Sequence, residues 1–327
     1  HRKLLIVDGE VGFTGGVGIA DNWDGNATAP DHWRDSHYRL DGPAVAQMQA
    51  AFMDNWIKTT GTVLQGKEYF PPLTAVGDAR AQVFTSSPSG GGDSMLLMYL
   101  LSITAAERTI DLSASYFVPD ELTRGALRAA LERGVRVRII VPGEHIDTEV
   151  VRKASRAQWG ELLEAGAEIH EFQPTMFHCK MLIVDRLMVS VGSTNFDNRS
   201  FRLNDEANLN VYDGEFAARV SAVFEDDLER AHRITFEAWK ARPWQEKILE
   251  HASALLSSQL RKKKKSRKRR CDSSGGSSRL SWPYPSASSY CCTSWPSSAA
   301  CDSARRRKTS DAPRSSWHGS WTCTSCS

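Results

Sequence analysis

One pattern occurs twice in this chain, and it constrains the possible folds more than any other feature. A histidine and a lysine are separated by one residue, an aspartate follows the lysine after four residues, and two small residues follow after six more. The residues are His1, Lys3, Asp8, Gly15 and Gly16 in the first copy, and His178, Lys180, Asp185, Gly192 and Ser193 in the second. Because the spacings are identical, the copies predict two structurally equivalent units.

The second copy predicts a buried strand with charged groups at one end. Residues 181–184 are apolar and β-prone, as a buried strand requires. His178 and Lys180 are two residues apart, so their side chains would lie on the same face of that strand. An imidazole and an ammonium group in this arrangement suit an anionic substrate such as a phosphate. Cys179 would point the opposite way, so we expect it to pack in the core and not to act as a nucleophile.

Strands and helices alternate along most of the chain. This alternation predicts an α/β protein with a mixed β-sheet flanked by helices. Combined with the repeat, it predicts two pseudo-equivalent lobes, with residues 1–78 as the C-terminal part of an incomplete first lobe and residues 79–260 as the second. Residues 261–327 are rich in basic residues, Ser, Cys and Trp and have no periodicity, so we expect a disordered tail. The abrupt change in composition also fits a frame-shifted chain end.

The net charge of +2 conceals a strong asymmetry. Residues 261–327 carry a charge of +12, and residues 1–260 carry −10. An acidic body disfavours a large nucleic-acid footprint, which needs clustered Lys and Arg. Six of the seven cysteines also lie in the tail, so the body has no disulfide framework and fits a reducing compartment. No apolar run approaches the roughly 18–20 residues of a membrane-spanning helix.

Local signals predict where several elements begin and end. A helix is expected from Asp120 to Arg133, and Gly134 would end it. Asp147 is expected to cap a helix that continues, with a break, to about residue 165. Another helix is predicted from Glu215 to about residue 233.

The doubled pattern resembles that of the phospholipase D superfamily, and its flanks resemble bacterial cardiolipin synthases and their close phospholipase D-like relatives. The flanking stretches that carry the likeness are residues 12–21, 32–37, 42–45 and 195–209. The likeness extends from residue 1 to about 260 and excludes the tail. A single copy of the motif is a common accident, whereas two copies in register with their glycines are a specific signal. By this resemblance, part of the first lobe precedes His1, and the chain is expected to be an N-terminally truncated fragment.

The resemblance implies a two-step reaction through a phosphohistidine. One histidine attacks phosphorus, and the other protonates the leaving alkoxide and then deprotonates the incoming water or alcohol. His1 is the expected nucleophile and His178 the expected acid and base, although the near-symmetry of the copies permits the reverse. Lys3, Lys180 and Asn195 would hold the non-bridging phosphate oxygens. No metal or other cofactor is expected, since the lysines supply positive charge.

Other residues are expected to support this site. Glu206 and Asp35 would orient the imidazoles, as carboxylates do in other histidine sites. Ser193 would assist the phosphate site or pack beneath it, and Gly16 belongs to the same supporting group. The first copy departs from the family pattern at Gly18, where an asparagine is expected, so it lacks one amide donor.

The two motif aspartates are the weakest catalytic candidates. Asp8 and Asp185 complete the motif, but an aspartate at a strand end often caps a turn, so we favour a structural or ion-pair role for both. Four aromatic residues are candidates for lining an acyl or head-group channel, although ordinary packing is favoured for each. They are Trp23, Trp33, Tyr116 and Phe117.

The resemblance implies phosphatidyl transfer of the cardiolipin synthase type. The expected partners are a phospholipid such as phosphatidylglycerol, an alcohol acceptor and a membrane surface, without nucleic acid. Hydrolysis would result when water is the acceptor. The expected location is the cytoplasmic side of a bacterial inner membrane, or the cytoplasm.

Two other interpretations stay open. The chain could be a nuclease of the same superfamily, which its acidic body disfavours. It could also be an inactive fragment, because a free α-amine beside the His1 imidazole adds charge and mobility where a nucleophile must be placed accurately.

Overall fold

The computed structural model describes residues 1–88, 92–250 and 252–254. Its strands are β1 (Leu4–Val7), β2 (Val11–Gly15), β3 (His37–Asp41), β4 (Arg80–Ser86), β5 (Thr109–Ala114), β6 (Phe117–Val118), β7 (Arg136–Pro142), β8 (Glu168–Phe172), β9 (Lys180–Val184), β10 (Met188–Gly192), β11 (Phe196–Asp197), β12 (Glu206–Tyr212) and β13 (Ala231–Ile234). Its α-helices are α1 (Ala44–Thr60), α2 (Ser94–Ala105), α3 (Glu121–Glu132), α4 (Glu149–Arg156), α5 (Gly160–Glu164), α6 (Asn198–Arg202), α7 (Gly214–Glu229) and α8 (Phe236–Lys240). The predictions for residues 261–327 lie outside the described residues.

The strands are arranged in one large sheet and two small ones. The large sheet has the order β13-β8-β7-β5-β9-β10-β12-β4, and β5, β7 and β8 run parallel within it while its other neighbours are antiparallel. This mixed, helix-flanked sheet confirms the predicted fold class. The sheet β1-β2-β3 is antiparallel throughout. Strands β6 and β11 form a short parallel pair. The division into lobes at residue 79 stays a prediction.

Both copies of the motif fold as equivalent β-hairpins. Strands β1 and β2 are joined by the three-residue loop 8–10, in which the Glu10 N–H donates to the Val7 carbonyl at 3.0 Å and the two residues between them, Asp8 and Gly9, have φ of 53° and 71°. Strands β9 and β10 are joined by the three-residue loop 185–187, in which the Leu187 N–H donates to the Val184 carbonyl at 3.0 Å and Asp185 and Arg186 both have φ of 54°. Positive φ at both central residues is the signature of the type I′ turn, whose twist matches that of the flanking strands. The four residues between lysine and aspartate are therefore a strand that ends in a tight turn.

A third strand completes each hairpin at the same register. Gly15 of β2 lies opposite His37 of β3, and Gly192 of β10 lies opposite Asn208 of β12. We call β1–β3 the first motif unit, and β9, β10 and β12 the second motif unit. Two residues before each of these opposite partners is an acidic residue, namely Asp35 and Glu206. The two carboxylates therefore occupy equivalent positions in the two units.

Strand β9 is buried on both faces of the large sheet. Leu182 and Val184 pack into the apolar layer under α2, α3 and α5, whereas Met181 and Ile183 pack into the layer that includes α7 and α1. Full burial of each such side chain contributes about 1.5–3 kcal/mol. Cys179 belongs to the second layer and is 1% exposed, which confirms its predicted packing role.

Two of the predicted helix boundaries are wrong. Asp147 does not cap α4, whose N-cap is Thr148, because its carboxylate accepts a hydrogen bond from the Tyr116 hydroxyl at 2.6 Å. Helix α7 ends at Glu229, and the next residues form β13, which pairs with the edge of β8. Pairing across the sheet outweighs the helical periodicity there. The Asp120 cap is confirmed, since its carboxylate accepts the Thr123 N–H at 3.0 Å.

A buried ion pair ties the segment before β3 to α7. The Arg34 guanidinium donates to both carboxylate oxygens of Asp227, at 2.6 and 2.8 Å. The Arg34 backbone also bonds to the segment before β9, since its N–H donates to the carbonyl of Met176 and its carbonyl accepts the N–H of His178. These bonds bring Asp35 beside His178. In the described ranges, no helix is long and apolar enough to cross a membrane.

Candidate active site

His178 lies in a nearly closed site against Asp35. Its Nδ1 is 2.7 Å from the Asp35 Oδ2, and the two side chains are 9% and 2% exposed. Asp35 also accepts the Ser36 backbone N–H on Oδ1 at 2.8 Å and the Trp23 indole N–H on Oδ2 at 2.9 Å. Burial would raise the pKa of Asp35, but the hydrogen bond and charge of His178 hold that pKa below its usual value. Asp35 is thus an ionised, fixed acceptor for the imidazole.

Lys180 is fully buried beside His178. Its ammonium donates to the Ser115 hydroxyl and the His178 carbonyl, both at 2.6 Å, and lies 3.1 Å from each ring nitrogen. Burial lowers the pKa of Lys180 to about 8, although the charge of Asp35 opposes the change. Burial and the Lys180 charge in turn lower the pKa of His178. At neutral pH the site therefore holds a neutral imidazole and a charged ammonium.

His1 forms the corresponding pair with Glu206. The His1 Nδ1 is 3.0 Å from Oε2 of Glu206, and the His1 side chain is 37% exposed whereas that of Glu206 is fully buried. The α-ammonium of His1 donates to the carbonyl of Asp205 at 2.6 Å. Glu206 also accepts the Ser193 hydroxyl at 2.6 Å and the Asn204 amide at 3.0 Å. Burial raises the pKa of Glu206 against these donors.

The two motif units exchange their carboxylates. His1 of the first unit binds Glu206 of the second, and His178 of the second binds Asp35, which precedes β3 of the first. Neither histidine has its carboxylate without the other unit. Each imidazole contacts its carboxylate through Nδ1, the arrangement that directs Nε2 to nucleophilic attack or proton transfer in other histidine sites, and the Lys180 ammonium also lies 3.1 Å from Nε2 of His178.

Lys3 and two tryptophans connect to the His178 site. The Lys3 ammonium lies 5.8 Å from the Trp23 ring centroid, and Trp23 meets His178 edge-on at 5.5 Å. Trp33 packs on both rings, at 4.7 Å from Trp23 and 5.2 Å from His178. The charge of Lys3 also contributes to the lowered pKa of His178. The structure thus brings Lys3, Lys180 and His178 into one electrostatic environment.

The other two aromatic candidates are placed differently. Tyr116 bonds to Asp147 through its hydroxyl, and Phe117 is buried against Phe196 with ring centroids 5.4 Å apart. Only Trp23 and Trp33 of the four predicted residues have ring contacts with His178.

Asn195 follows β10 and is 5% exposed, and its Oδ1 has no hydrogen-bond partner among the described residues. Its neighbour Asn208 is saturated, because its amide donates to Tyr99 and Ser190 and its carbonyl accepts the Thr194 hydroxyl. Buried polar atoms are rarely left unpaired, so this oxygen makes Asn195 a candidate contact for a ligand.

The motif aspartates lie at the hairpin turns, away from the imidazoles. Asp185 is at the opposite end of β9 from Lys180, and its carboxylate accepts the backbone N–H groups of residues 107–109 at 2.7–2.9 Å. Burial opposes ionisation of Asp185, but these three bonds hold its pKa below the usual value. Asp8 is exposed at the tip of its hairpin and makes no hydrogen bond to other described residues.

Gly16 lies directly against a carboxylate of the site. A Cβ at this position would overlap the oxygens of Asp35, and the Gly16 N–H donates to the Ser36 carbonyl at 3.0 Å. Ser193, the equivalent residue of the second copy, donates to Glu206 instead. In the part of the chain that the structure describes, no group of three or more His, Cys, Asp or Glu side chains is arranged to hold a metal ion.

The sequence did not indicate the roles that three residues have in this site. The Ser115 hydroxyl accepts a hydrogen bond from the Lys180 ammonium, and the Trp23 indole N–H donates to the Asp35 carboxylate. The Asn208 amide oxygen accepts a hydrogen bond from the Thr194 hydroxyl, just after β10. Ser115 and Asn208 reach the site through strand pairing, which has no local sequence signal. Trp23 was noted only as a candidate for the channel wall.

Comparison with known proteins agrees with this geometry. Residues 99–228 match the family model described as cardiolipin synthase, phospholipase D-like domain. Over 262 residues the chain is 35% identical to a cardiolipin synthase of Alkalihalophilus pseudofirmus and 37% identical to one of a Geobacillus species. Each match covers 80% of this chain and 52% of the relative, so the chain spans about half the length of the curated relatives it matches.

A solved structure with the same fold is the phosphatidylserine synthase of Haemophilus influenzae. It aligns with a TM-score of 0.60 at 13% identity, over 79% of this chain and 68% of that one. The chain thus has the fold of that structure, contains a phospholipase D-like domain over residues 99–228 and is similar to cardiolipin synthases over 80% of its length.

Proposed function

We propose that the protein transfers phosphatidyl groups between phospholipids through a phosphohistidine intermediate, as a cardiolipin synthase does. The observation that carries the proposal is the exchange of carboxylates between two histidine sites, one of which contains a buried lysine. The names of the sequence relatives support the choice of substrate class. The proposed substrate also implies that the protein works at a bilayer surface.

In the first step, His1 attacks the phosphorus of a phosphatidyl donor. This assignment follows the resemblance to the phospholipase D superfamily, and in the chain as given the side chain of His1 is 37% exposed, against 9% for His178. The phosphorus–nitrogen bond forms as the phosphorus–oxygen bond to the leaving alcohol breaks. His178, as imidazolium, gives its proton to the leaving oxygen, and Asp35 stabilises the cation before the transfer.

In the second step, an incoming alcohol replaces His1 at phosphorus. Neutral His178 takes the proton of the alcohol, the new phosphorus–oxygen bond forms, and the phosphorus–nitrogen bond breaks. A hydroxyl of a second phosphatidylglycerol gives a diphosphatidyl product, whereas water gives phosphatidic acid. The same residues therefore support transfer and hydrolysis.

Lys3, Lys180 and Asn195 would bind the non-bridging oxygens in both steps. Fixed donors aimed at developing charge stabilise a transition state by several kcal/mol in a dry site. A bound phosphodiester would also offset the Lys180 charge beside His178 and so raise the pKa of His178, which has to be protonated for the first step.

The test uses the purified chain with phosphatidylglycerol in mixed micelles. Wild type should release glycerol and form diphosphatidylglycerol, and His178→Ala should form neither. His232→Ala, an exposed histidine on β13, is the matched control and should behave as wild type. Absence of product from wild type, or equal product from His178→Ala, would overturn the proposal.

The same incubation, quenched early under alkaline conditions, assigns the two roles. Mass spectrometry should find the phosphatidyl adduct on His1. An adduct on His178 would reverse the roles while preserving the two-step reaction.

A further inference from the structure

The two histidine sites are equivalent in backbone but hold their carboxylates with different donors. Glu206 accepts the hydroxyl of Ser193, the residue immediately after the motif glycine, at 2.6 Å. The equivalent residue of the first unit is Gly16, which has no side chain to donate. Asp35 instead accepts the indole N–H of Trp23 at 2.9 Å.

Two glycines of the first copy leave room for the Trp23 indole and the Asp35 carboxylate to meet. A Cβ at Gly16 would overlap the carboxylate of Asp35. Gly18 is at the position equivalent to Asn195, and a Cβ there would come within 3.0 Å of the Trp23 ring. Where the second copy has Asn195, the first copy therefore has Gly18 with the Trp23 ring packed against it.

Trp23 contacts three functional groups with one side chain. Its N–H bonds to Asp35, its ring meets His178 edge-on with an interplanar angle of 79°, and its face lies 5.8 Å below the Lys3 ammonium. Trp33 packs on Trp23 and on His178, but its indole N–H has no hydrogen-bond partner among the described residues.

We propose that Trp23 is a positioning residue for His178 that acts through Asp35 and supplies the donor that Ser193 supplies to Glu206. The indole N–H and the imidazole share the same carboxylate oxygen, Oδ2, so Trp23 fixes that oxygen and limits how strongly it attracts the imidazole proton. The inference rests on the proposed function only where it concerns the reaction rate. The effect of Trp23 on the pKa of His178 is measurable without catalysis.

The charged groups that face His178 are Asp35, Lys180 and Lys3. Removing the indole N–H leaves His178 as the only side-chain donor to Asp35, which strengthens their bond and favours the imidazolium. In Trp23→Phe, the pKa of His178 should therefore rise by about half a unit or more. NMR titration of the histidine rings measures this shift, and the His178→Ala spectrum assigns the resonance.

Trp33→Phe is the matched control, because Trp33 has a comparable ring contact with His178 but no bond to the carboxylate. It should leave the pKa of His178 at the wild-type value. An unchanged pKa in Trp23→Phe, or an equal shift in both variants, would overturn the proposal.

A wild-type measurement keeps the test independent of variant folding. The indole N–H resonance of Trp23 should shift as His178 titrates, and that of Trp33 should shift much less. Gly18→Ala, which crowds the Trp23 ring, should move the pKa of His178 in the same direction as Trp23→Phe. A Trp23 resonance that ignores the His178 titration would contradict the shared-oxygen geometry.

In the transferase assay, Trp23→Phe should lower kcat by about tenfold, the effect of losing one hydrogen bond to a charged group, with KM little changed. A pKa shift without any activity in wild type would refute the proposed function and leave the positioning role intact. A wild-type kcat in Trp23→Phe would contradict a positioning role in the reaction, whatever the pKa of His178.

Discussion

At the scale of single residues, the buried charge of Lys180 lowers the stability of the folded protein. Its ammonium is fully buried, and its pKa falls from 10.5 to about 8. Below pH 8 the lysine is charged in both folded and unfolded states, so the folded protein bears the whole penalty, about 3 kcal/mol. Between pH 8 and 10.5 the folded state releases the proton first, so the Lys180 contribution to stability becomes less unfavourable as pH rises.

Lys180→Met should therefore stabilise the protein and abolish turnover. The free energy of unfolding at pH 7 should rise by about 1–2 kcal/mol, since the loss of donors to Ser115 and to the His178 carbonyl offsets part of the gain. Denaturant unfolding at pH 7 and pH 10 measures the change, which should shrink at the higher pH. Lys153→Met, at a half-buried position on α4, should leave both stability and turnover close to wild type. A less stable Lys180→Met would show that its hydrogen bonds outweigh the buried charge.

At the scale of elements, each motif aspartate belongs to a β-hairpin, but the two hairpins are anchored differently. Asp185 binds three backbone N–H groups ahead of β5, whereas Asp8 is exposed and binds none of the described backbone. Both have the positive φ that glycine accepts. Replacement of either aspartate with glycine should therefore affect its turn to the same extent. Only the replacement of Asp185 also removes hydrogen bonds.

Asp185→Gly should lower the free energy of unfolding by about 2–3 kcal/mol more than Asp8→Gly does, because only Asp185 makes charged hydrogen bonds. Because the pKa of Asp185 is lowered in the folded state, its contribution to the free energy of unfolding is complete above its unfolded-state pKa. That contribution is lost as pH falls through the folded-state pKa, so the difference between the two variants should decrease in acid. Paired thermal melts at pH 7 and pH 3 measure it. Equal destabilisation at pH 7 would show that turn geometry dominates.

Local elements were predictable where one short-range rule decided the outcome. Alternation placed His178 and Lys180 together and Cys179 in the core, and the four-residue spacing gave the length of a strand. The helix predicted to residue 233 failed because β13 pairs with β8, a partner about 60 residues away along the chain. The pairing of His1 with Glu206 could not be predicted, because it depends on the register between strands, which has no local signal in the sequence.

At the scale of the whole molecule, the site depends on the Arg34–Asp227 ion pair. The side chains are 7% and 3% exposed, and they fix the segment that carries Asp35 to α7. Removing one member leaves an uncompensated buried charge, which costs about 3–5 kcal/mol. Exposed pairs contribute far less.

Arg34→Met should accordingly lower the free energy of unfolding by about 3–5 kcal/mol, and the double variant Arg34→Met with Asp227→Leu should recover most of that loss. Arg39→Met, which breaks the exposed pair with Asp41, is the control and should change stability by less than about 1 kcal/mol. Denaturant unfolding of the four proteins measures these differences. A double variant no more stable than Arg34→Met would exclude the buried charge as the cause.

The exchange of carboxylates also has a consequence in time. His1 is the first residue of the chain as given, and its partner Glu206 is 205 positions later. A ribosome that has made the first motif unit has thus produced a histidine without its carboxylate, and the first half-site remains open until β12 has emerged and paired. The first histidine–carboxylate pair consequently forms only after synthesis has passed Glu206, whereas the carboxylate of the second pair, Asp35, is made before its histidine.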